Sequence, residues 1–251
     1  QAFSFLHTAK SHRDAPFTAL EMVEQELVTE DEFANRDEMG LQPLTDTTET
    51  EDAAFWKYVR LLLMFIPPLG LGFAAATWAV SVFLLGGKNI IEAKFSFIHQ
   101  YQLGYVFLAV WIVSYTRTFL SILANSARAA ARLDRPDQHV YKVMAASGAL
   151  KDSPYVLMVN TGPVGRFNRA QRAAYNMDES IPLMLINTVL SSSIFGPVIL
   201  LPLLLYCYGR ISFGVKYKGS LKKRGAGFTP AIIGEKWMEG LVLFSAIMGL
   251  F

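Results

Sequence analysis

Cysteine is almost absent from this chain, which has one, Cys207, in 251 residues. A lone cysteine excludes an internal disulfide, so any thiol chemistry must draw its thiol from another molecule. Histidine is nearly as scarce, and His7, His12, His99 and His139 show no ligand spacing, so no metal centre is expected. The sequence has no nucleophile–base pairing, phosphate loop, nucleic-acid motif or internal repeat. Gly162-Pro-Val-Gly165 is short enough to be only a turn. Charge is thin as well: 18% charged against 52% hydrophobic residues excludes an ordinary soluble domain.

The charge that is present is unevenly placed. Residues 1–56 hold 13 Asp/Glu against 3 Lys/Arg, while the rest of the chain holds 20 Lys/Arg against 8 Asp/Glu. The formal net charge of +2 therefore conceals an acidic tail joined to a basic membrane body. The tail, which ends in the Thr-rich Thr45-Asp-Thr-Thr-Glu-Thr50, reads either as a solvated segment or as a docking arm for a partner protein. A basic body beside apolar spans reflects membrane topology rather than nucleic-acid binding, and nucleic acid is not expected as a partner. The chain opens on Gln1 rather than Met, which points to a removed leading segment and to an organellar (mitochondrial or plastid) or endoplasmic-reticulum membrane.

Leu61–Gly87 carries no charge for 27 residues, enough to cross a hydrocarbon core of about 30 Å. Pro67-Pro68 should kink this first helix. A second span runs from about Tyr101 to Ala127 and contains Arg117, which either snorkels or faces the bundle interior. Ser180–Gly209 is uncharged for 30 residues, too long for one ordinary helix and too short for two. A turn at Ser191-Ser-Ser-Ile-Phe-Gly196-Pro197 resolves the mismatch, provided that the third helix begins near Arg169 and the fourth reaches about Tyr217. Phe228–Phe251 is the last of five proposed helices, and only twelve uncharged residues follow Glu235, Lys236 and Glu239. Five spans put the tail and the two basic loops, 128–171 and 209–227, on one membrane side, which the positive-inside rule assigns to cytosol, stroma or matrix.

That topology carries a polar stripe into the bundle. Arg169, Arg172, Asn176 and Glu179 recur at i, i+3, i+7 and i+10 and so share one helix face. The stripe reads as interfacial anchoring or as a binding site. Arg210, Tyr217 and Arg224 recur every seven residues on the same membrane side, and the two series would converge if the fourth helix persists. A pocket between them suits a small anion with more than one carboxylate, gripped bidentately by guanidinium groups. Asn176 and Glu179 would recognise an amide or amino group.

Arg169-x-x-Arg172-Ala173-x-x-Asn176-x-x-Glu179-x-x-Pro182, followed by Arg210-x6-Tyr217-x6-Arg224 and Gly227-Phe228, resembles the membrane-associated proteins in eicosanoid and glutathione metabolism (MAPEG), which include the microsomal glutathione transferases. The resemblance covers about residues 102–251. It implies an all-α integral membrane protein with a four-helix domain at 101–251, preceded by an acidic tail (1–56) and an extra transmembrane helix with its connection (57–100). It also implies a homotrimer with glutathione, as co-substrate, between subunits. Arg169, Arg172, Asn176, Glu179, Tyr217, Gln171 and Arg128 would be binding residues, and Arg224 would stabilise the thiolate. The sequence departs from the leukotriene branch at Ser180 and Phe213, where that branch has tyrosines, and at Arg128-Ala129, where it has two arginines. The expected function is a membrane-bound glutathione-dependent transferase or peroxidase acting on lipophilic electrophiles. The rival is a non-catalytic subunit of a larger membrane complex, attached to other membrane subunits through residues 1–100.

Overall fold

A computed structural model describes residues 49–133, 139–142 and 157–250. The acidic tail up to residue 48, with the docking arm expected there, lies outside the described residues. So do Arg135 and Lys151 of the basic loop. The described residues are helical apart from short connections and one two-residue strand pair. Three helical runs are long and apolar enough to cross a membrane: Glu51–Leu84, Gly104–Ala131 and Gly162–Gly219.

The first run, α1 (Glu51–Leu84), is capped by Thr50, whose hydroxyl accepts from Ala53 N at 3.2 Å. Pro67-Pro68 does not end it. Instead Val59–Phe65 winds as a π-helix ahead of the prolines, with Ile66 N donating to Leu61 O. Pro67 has no N–H for the carbonyl four residues back, and the freed Leu63 O accepts from the Tyr115 hydroxyl at 3.1 Å. At the expected kink the helix thus carries a wider turn and one hydrogen bond from a neighbouring helix.

The connection after α1 is itself helical: α2 (Lys88–Gln100) stands where the sequence suggested only a link. Gln102 then takes a positive φ of 53°, and α3 (Gly104–Ala131) begins. Two short strands, β1 (Tyr141–Lys142) and β2 (Leu157–Met158), pair antiparallel with Tyr141 opposite Met158. Asn168, buried at the start of the next helix, ties this pair down: its Oδ1 accepts from Val140 N, and its Nδ2 donates to Val140 O and Val159 O.

The third run folds back on itself. It consists of α4 (Gly162–Phe195), a 3-10 turn (Gly196–Ile199) and α5 (Leu200–Gly219). Gly196 has φ 55° and ψ −129°, a backbone conformation that calls for glycine, and a Cβ there would only have to displace the flexible end of the Gln102 side chain. The cross-helix contacts step in opposite directions: Ser180 meets Tyr206, Asn176 meets Arg210, and Arg169 meets Tyr217. The 30-residue uncharged block is therefore the tip of a helical hairpin.

The last helix, α6 (Gly225–Leu250), packs antiparallel on α5 at very close range. A Cβ on Gly227 would collide with the Phe213 backbone and one on Gly209 with Ala231, while one on Gly234 would stand 2.6 Å from Pro202 O. Small residues allow this backbone approach, as in membrane helix pairs generally. The core lies between α3, α4, α5 and α6, where Leu120, Leu123, Met177, Met184, Leu203, Tyr206, Ala231 and Met238 interlock.

Candidate functional site

Five helix termini meet at the basic end of the molecule. Glu51, at the start of α1, accepts from Arg166 of α4 at 3.1 Å and from Lys218 of α5 at 2.5 Å. Arg128, near the end of α3, lies over the Phe167 ring at 4.7 Å. Arg169 is buried and donates to the carbonyls of Asn160, Tyr217 and Lys218, so it closes the C-terminal end of α5.

With α4 and α5 fixed in this way, a cavity of about 340 Å³ opens between α4, α5 and the start of α6. Arg172, Asn176, Phe213, Tyr217, Arg224, Gly225 and Phe228 line it. Arg172 and Asn176 are one turn apart on α4, and Tyr217 comes from the last turn of α5. Arg224 sits in the bend that a 3-10 turn (Leu221–Lys223) makes before α6. Phe213 stacks on Tyr217 at 5.2 Å and meets Phe228 at 6.1 Å, giving the cavity an aromatic wall beside its two guanidinium groups.

A buried polar network lies beneath it. Arg210, 7% exposed at its side chain, donates to Asn176 Oδ1, to Ser180 Oγ at 2.9 Å and to Glu235 at 3.2 Å, and lies over the Tyr206 ring at 5.0 Å. Ser180 and Tyr206 join hydroxyls at 2.8 Å. Arg210 takes one lone pair of the Asn176 oxygen, and the Asn176 Nδ2 adds a donor to what the residue can offer a ligand. Glu235 carries a charge that α6 alone could not keep in an apolar setting; the Arg210 guanidinium compensates it.

The sequence-predicted residues therefore divide. Arg172, Asn176, Tyr217 and Arg224 come together around one cavity. Glu179 does not line it but holds Arg172 at 2.7 Å, on an exposed stretch of α4. Arg169 and Arg210, though on the expected faces, are structural: one closes α5 and the other anchors the network. Arg128 and Gln171 lie outside the cavity lining. Sequence reasoning missed Phe213 and Phe228 as cavity walls, Glu235 as the counter-charge to Arg210, and Asp178. Asp178 forms a bidentate pair with Arg117 of α3, its Oδ2 accepting from Nη2 at 2.9 Å, and Ser121 joins the pair. Arg117 thus faces α4 within the bundle, half-buried and paired with Asp178; its signal was a carboxylate directly beside the Glu179 that the stripe had singled out.

His139 stands above the span, its ring 5.4 Å from Tyr175. Burial, and then the charge of Arg172, hold its imidazole below the ordinary value of 6.5.

Fold and site together define a helical membrane protein with a cationic, aromatic-walled cavity at its basic end. No protein-family model matches the chain, and no curated protein matches it in sequence.

Proposed function

We propose that this chain is a membrane-bound, glutathione-dependent transferase or peroxidase of the MAPEG kind, acting on lipophilic electrophiles. The observation that carries the reading is the convergence of Arg172, Asn176, Tyr217 and Arg224, from separate stretches of sequence, on a single cavity. In this reading α3–α6 form the four-helix domain and α1 is the added transmembrane helix. The working unit is a homotrimer in an organellar or endoplasmic-reticulum membrane, with the basic end toward cytosol, stroma or matrix.

Arg172, whose two Nη atoms already donate to Glu179, offers a carboxylate of the tripeptide a further charge-assisted hydrogen bond, and the Asn176 Nδ2 donates to a peptide carbonyl. Arg224 stands by the sulfur, where a cation favours the thiolate over the thiol. The thiol proton leaves to water, and the thiolate electron pair forms the new sulfur–carbon bond while the leaving group departs with the old bond's electrons. With a lipid hydroperoxide the thiolate attacks oxygen instead. The alcohol and a glutathione sulfenic acid result, and a second glutathione converts the latter to disulfide and water. The aromatic wall of Phe213 and Phe228 receives the apolar electrophile.

Purified protein in lipid nanodiscs should bind glutathione saturably and raise its thiolate absorbance at neutral pH. Arg224→Met should abolish the absorbance while leaving binding measurable, and Arg172→Met should weaken binding. If the wild type gives no saturable binding, the proposal fails.

One observation favours a second reading, that of a non-catalytic subunit in a larger membrane complex: the most apolar window of α1 holds no buried residue, although Val82 nearer its end is buried. Isolation from native membranes separates the two readings. A single copy among unrelated chains supports the subunit, and a homotrimer supports the enzyme.

A further inference from the structure

Helix α6 is not among the runs apolar enough to cross a membrane, yet it lies along α5, which belongs to one. Its 26 residues reach about 39 Å at 1.5 Å each, so composition rather than length sets it apart. Of its three charges, Glu235 turns inward to Arg210. Lys236 and Glu239 turn outward and pair with each other at 2.7 Å, their side chains 62% and 32% exposed. The close approaches of Gly209 to Ala231 and of Gly234 to Pro202 and Tyr206 fix the register. They set this pair beside Leu200-Leu-Pro-Leu-Leu-Leu205 of α5, a level at which α5 carries only leucine and proline. At that depth an ion pair turned toward lipid is costly, and such groups normally face protein or water.

The surrounding surface has the spacing of a helix–helix seam. Ile232, Lys236, Glu239, Leu243, Ala246 and Leu250 follow one another at intervals of four and three, the a/d pattern of packed parallel helices, and none of them is buried. Gly240 lies within the same strip and, among the described residues, has nothing within 4 Å of where a Cβ would stand, so the surface there is close-packing in type and open.

We propose that this face of α6 packs against the same face of a second copy of the chain, with Lys236 of one copy pairing with the partner's Glu239. Charge selects the occupant. A strip with one cation and one anion a single turn apart is complementary to itself, whereas a foreign helix would have to carry the matching pair. Copies inserted in one membrane share an orientation, so their α6 helices run parallel. Lys236 and the partner's Glu239 then differ by about 4.5 Å in height, within reach of two long side chains. A polar pair within an otherwise apolar seam also sets register, as polar a positions do in coiled coils. The contact is independent of glutathione, since the cavity residues lie elsewhere and none of them forms the seam.

The test uses the full chain in native-lipid nanodiscs, with two affinity tags co-expressed. Glu239→Lys leaves two cations on the seam and Lys236→Glu leaves two anions. Each variant alone should lose self-association by about tenfold, the scale of one or two interhelical polar contacts. Co-expressed, the two should associate with each other as well as the wild type does with itself. Leu243→Cys should cross-link between copies under mild oxidation, while the buried Cys207 stays silent. Unchanged self-association in the single variants, loss without recovery in the mixture, or absence of the Leu243→Cys cross-link would each overturn the proposal.

Discussion

Replacing Glu235 by leucine removes the only carboxylate that reaches the Arg210 guanidinium among the described residues. What remains for Arg210 is neutral: the Asn176 side-chain oxygen, the Asn176 carbonyl at 3.5 Å and the Ser180 hydroxyl at 2.9 Å. These satisfy hydrogens but do not balance the charge. Breaking a buried pair by deleting one partner costs about 3–5 kcal/mol, and the remaining acceptors together with 20% exposure of the Glu235 side chain put this case near the lower limit, about 3 kcal/mol. Glu235→Gln keeps an acceptor and should cost about half of that. The double variant Arg210→Met with Glu235→Leu removes both charges and substitutes apolar volume, so it should lie within about 1 kcal/mol of the wild type, since buried pairs exchanged for apolar groups are often near neutral.

The assay is reversible unfolding in mixed micelles, followed by far-ultraviolet circular dichroism, for all four corners of the cycle. A coupling of about 2 kcal/mol or more is expected, because the two residues share one network. If Glu235→Leu costs less than about 1 kcal/mol, the pair is not desolvated and the account of how α6 keeps its charge is wrong. If instead the double variant is as unstable as the two single effects combined, the residues act separately and the network is not a unit.

Tyr115→Phe should strip the partner from Leu63 O and cost about 1 kcal/mol, seen as a lower unfolding midpoint with α1 exchanging amide hydrogens faster around Leu63. Gly227→Leu inserts a side chain where a Cβ already collides with the Phe213 backbone. It should push α6 off α5, at a cost above the about 1–3 kcal/mol usual for overpacking, and, if the proposed glutathione site is right, weaken binding there by displacing Phe228. His139 supplies a pH dependence. Its folded value is depressed, so the unfolded chain takes a proton first as pH falls below about 6.5 and stability declines from there toward the folded value. His139→Phe should flatten that slope in thermal unfolding between about pH 5 and pH 7, while the plateau above about pH 7 is unchanged in shape.

Periodicity made the helical hairpin legible, because a 30-residue uncharged block fits neither one crossing nor two and only a turn at Gly196-Pro197 reconciles it with the flanking charges. Spacing also made the cavity legible. Arg172 and Asn176 share a face with each other, Tyr217 and Arg224 lie on the same membrane side, and hairpin geometry brings the two sets together. Face and side, however, do not fix depth or direction within the bundle. Arg169 shares the stripe with Arg172, yet α5 ends level with it and takes its guanidinium as a cap, so the two arginines one turn apart serve different ends. The helix α2 was illegible because its charges (Lys88, Glu92, Lys94) fall between two apolar runs and read as a link.

The charges of α6 were the hardest feature to interpret from sequence, and they show most clearly what a single chain's sequence leaves out. Taken alone, Glu235, Lys236 and Glu239 disqualify the helix as a span. In three dimensions each charge has a place, but the places differ in kind. Glu235 is answered within the fold by Arg210, a residue 25 positions away that no local pattern connects to it. Among the described residues Lys236 and Glu239 form an ion pair only with each other, on an exposed surface with the spacing of a seam. A hydropathy window counts all three charges as equal penalties, whereas the bundle neutralises the first and leaves the other two to be covered from outside. The same distinction separates Arg210 from Arg224 in the site. One is saturated by its own chain and holds the scaffold. The other is exposed, lines the cavity and makes no ion pair among the described residues.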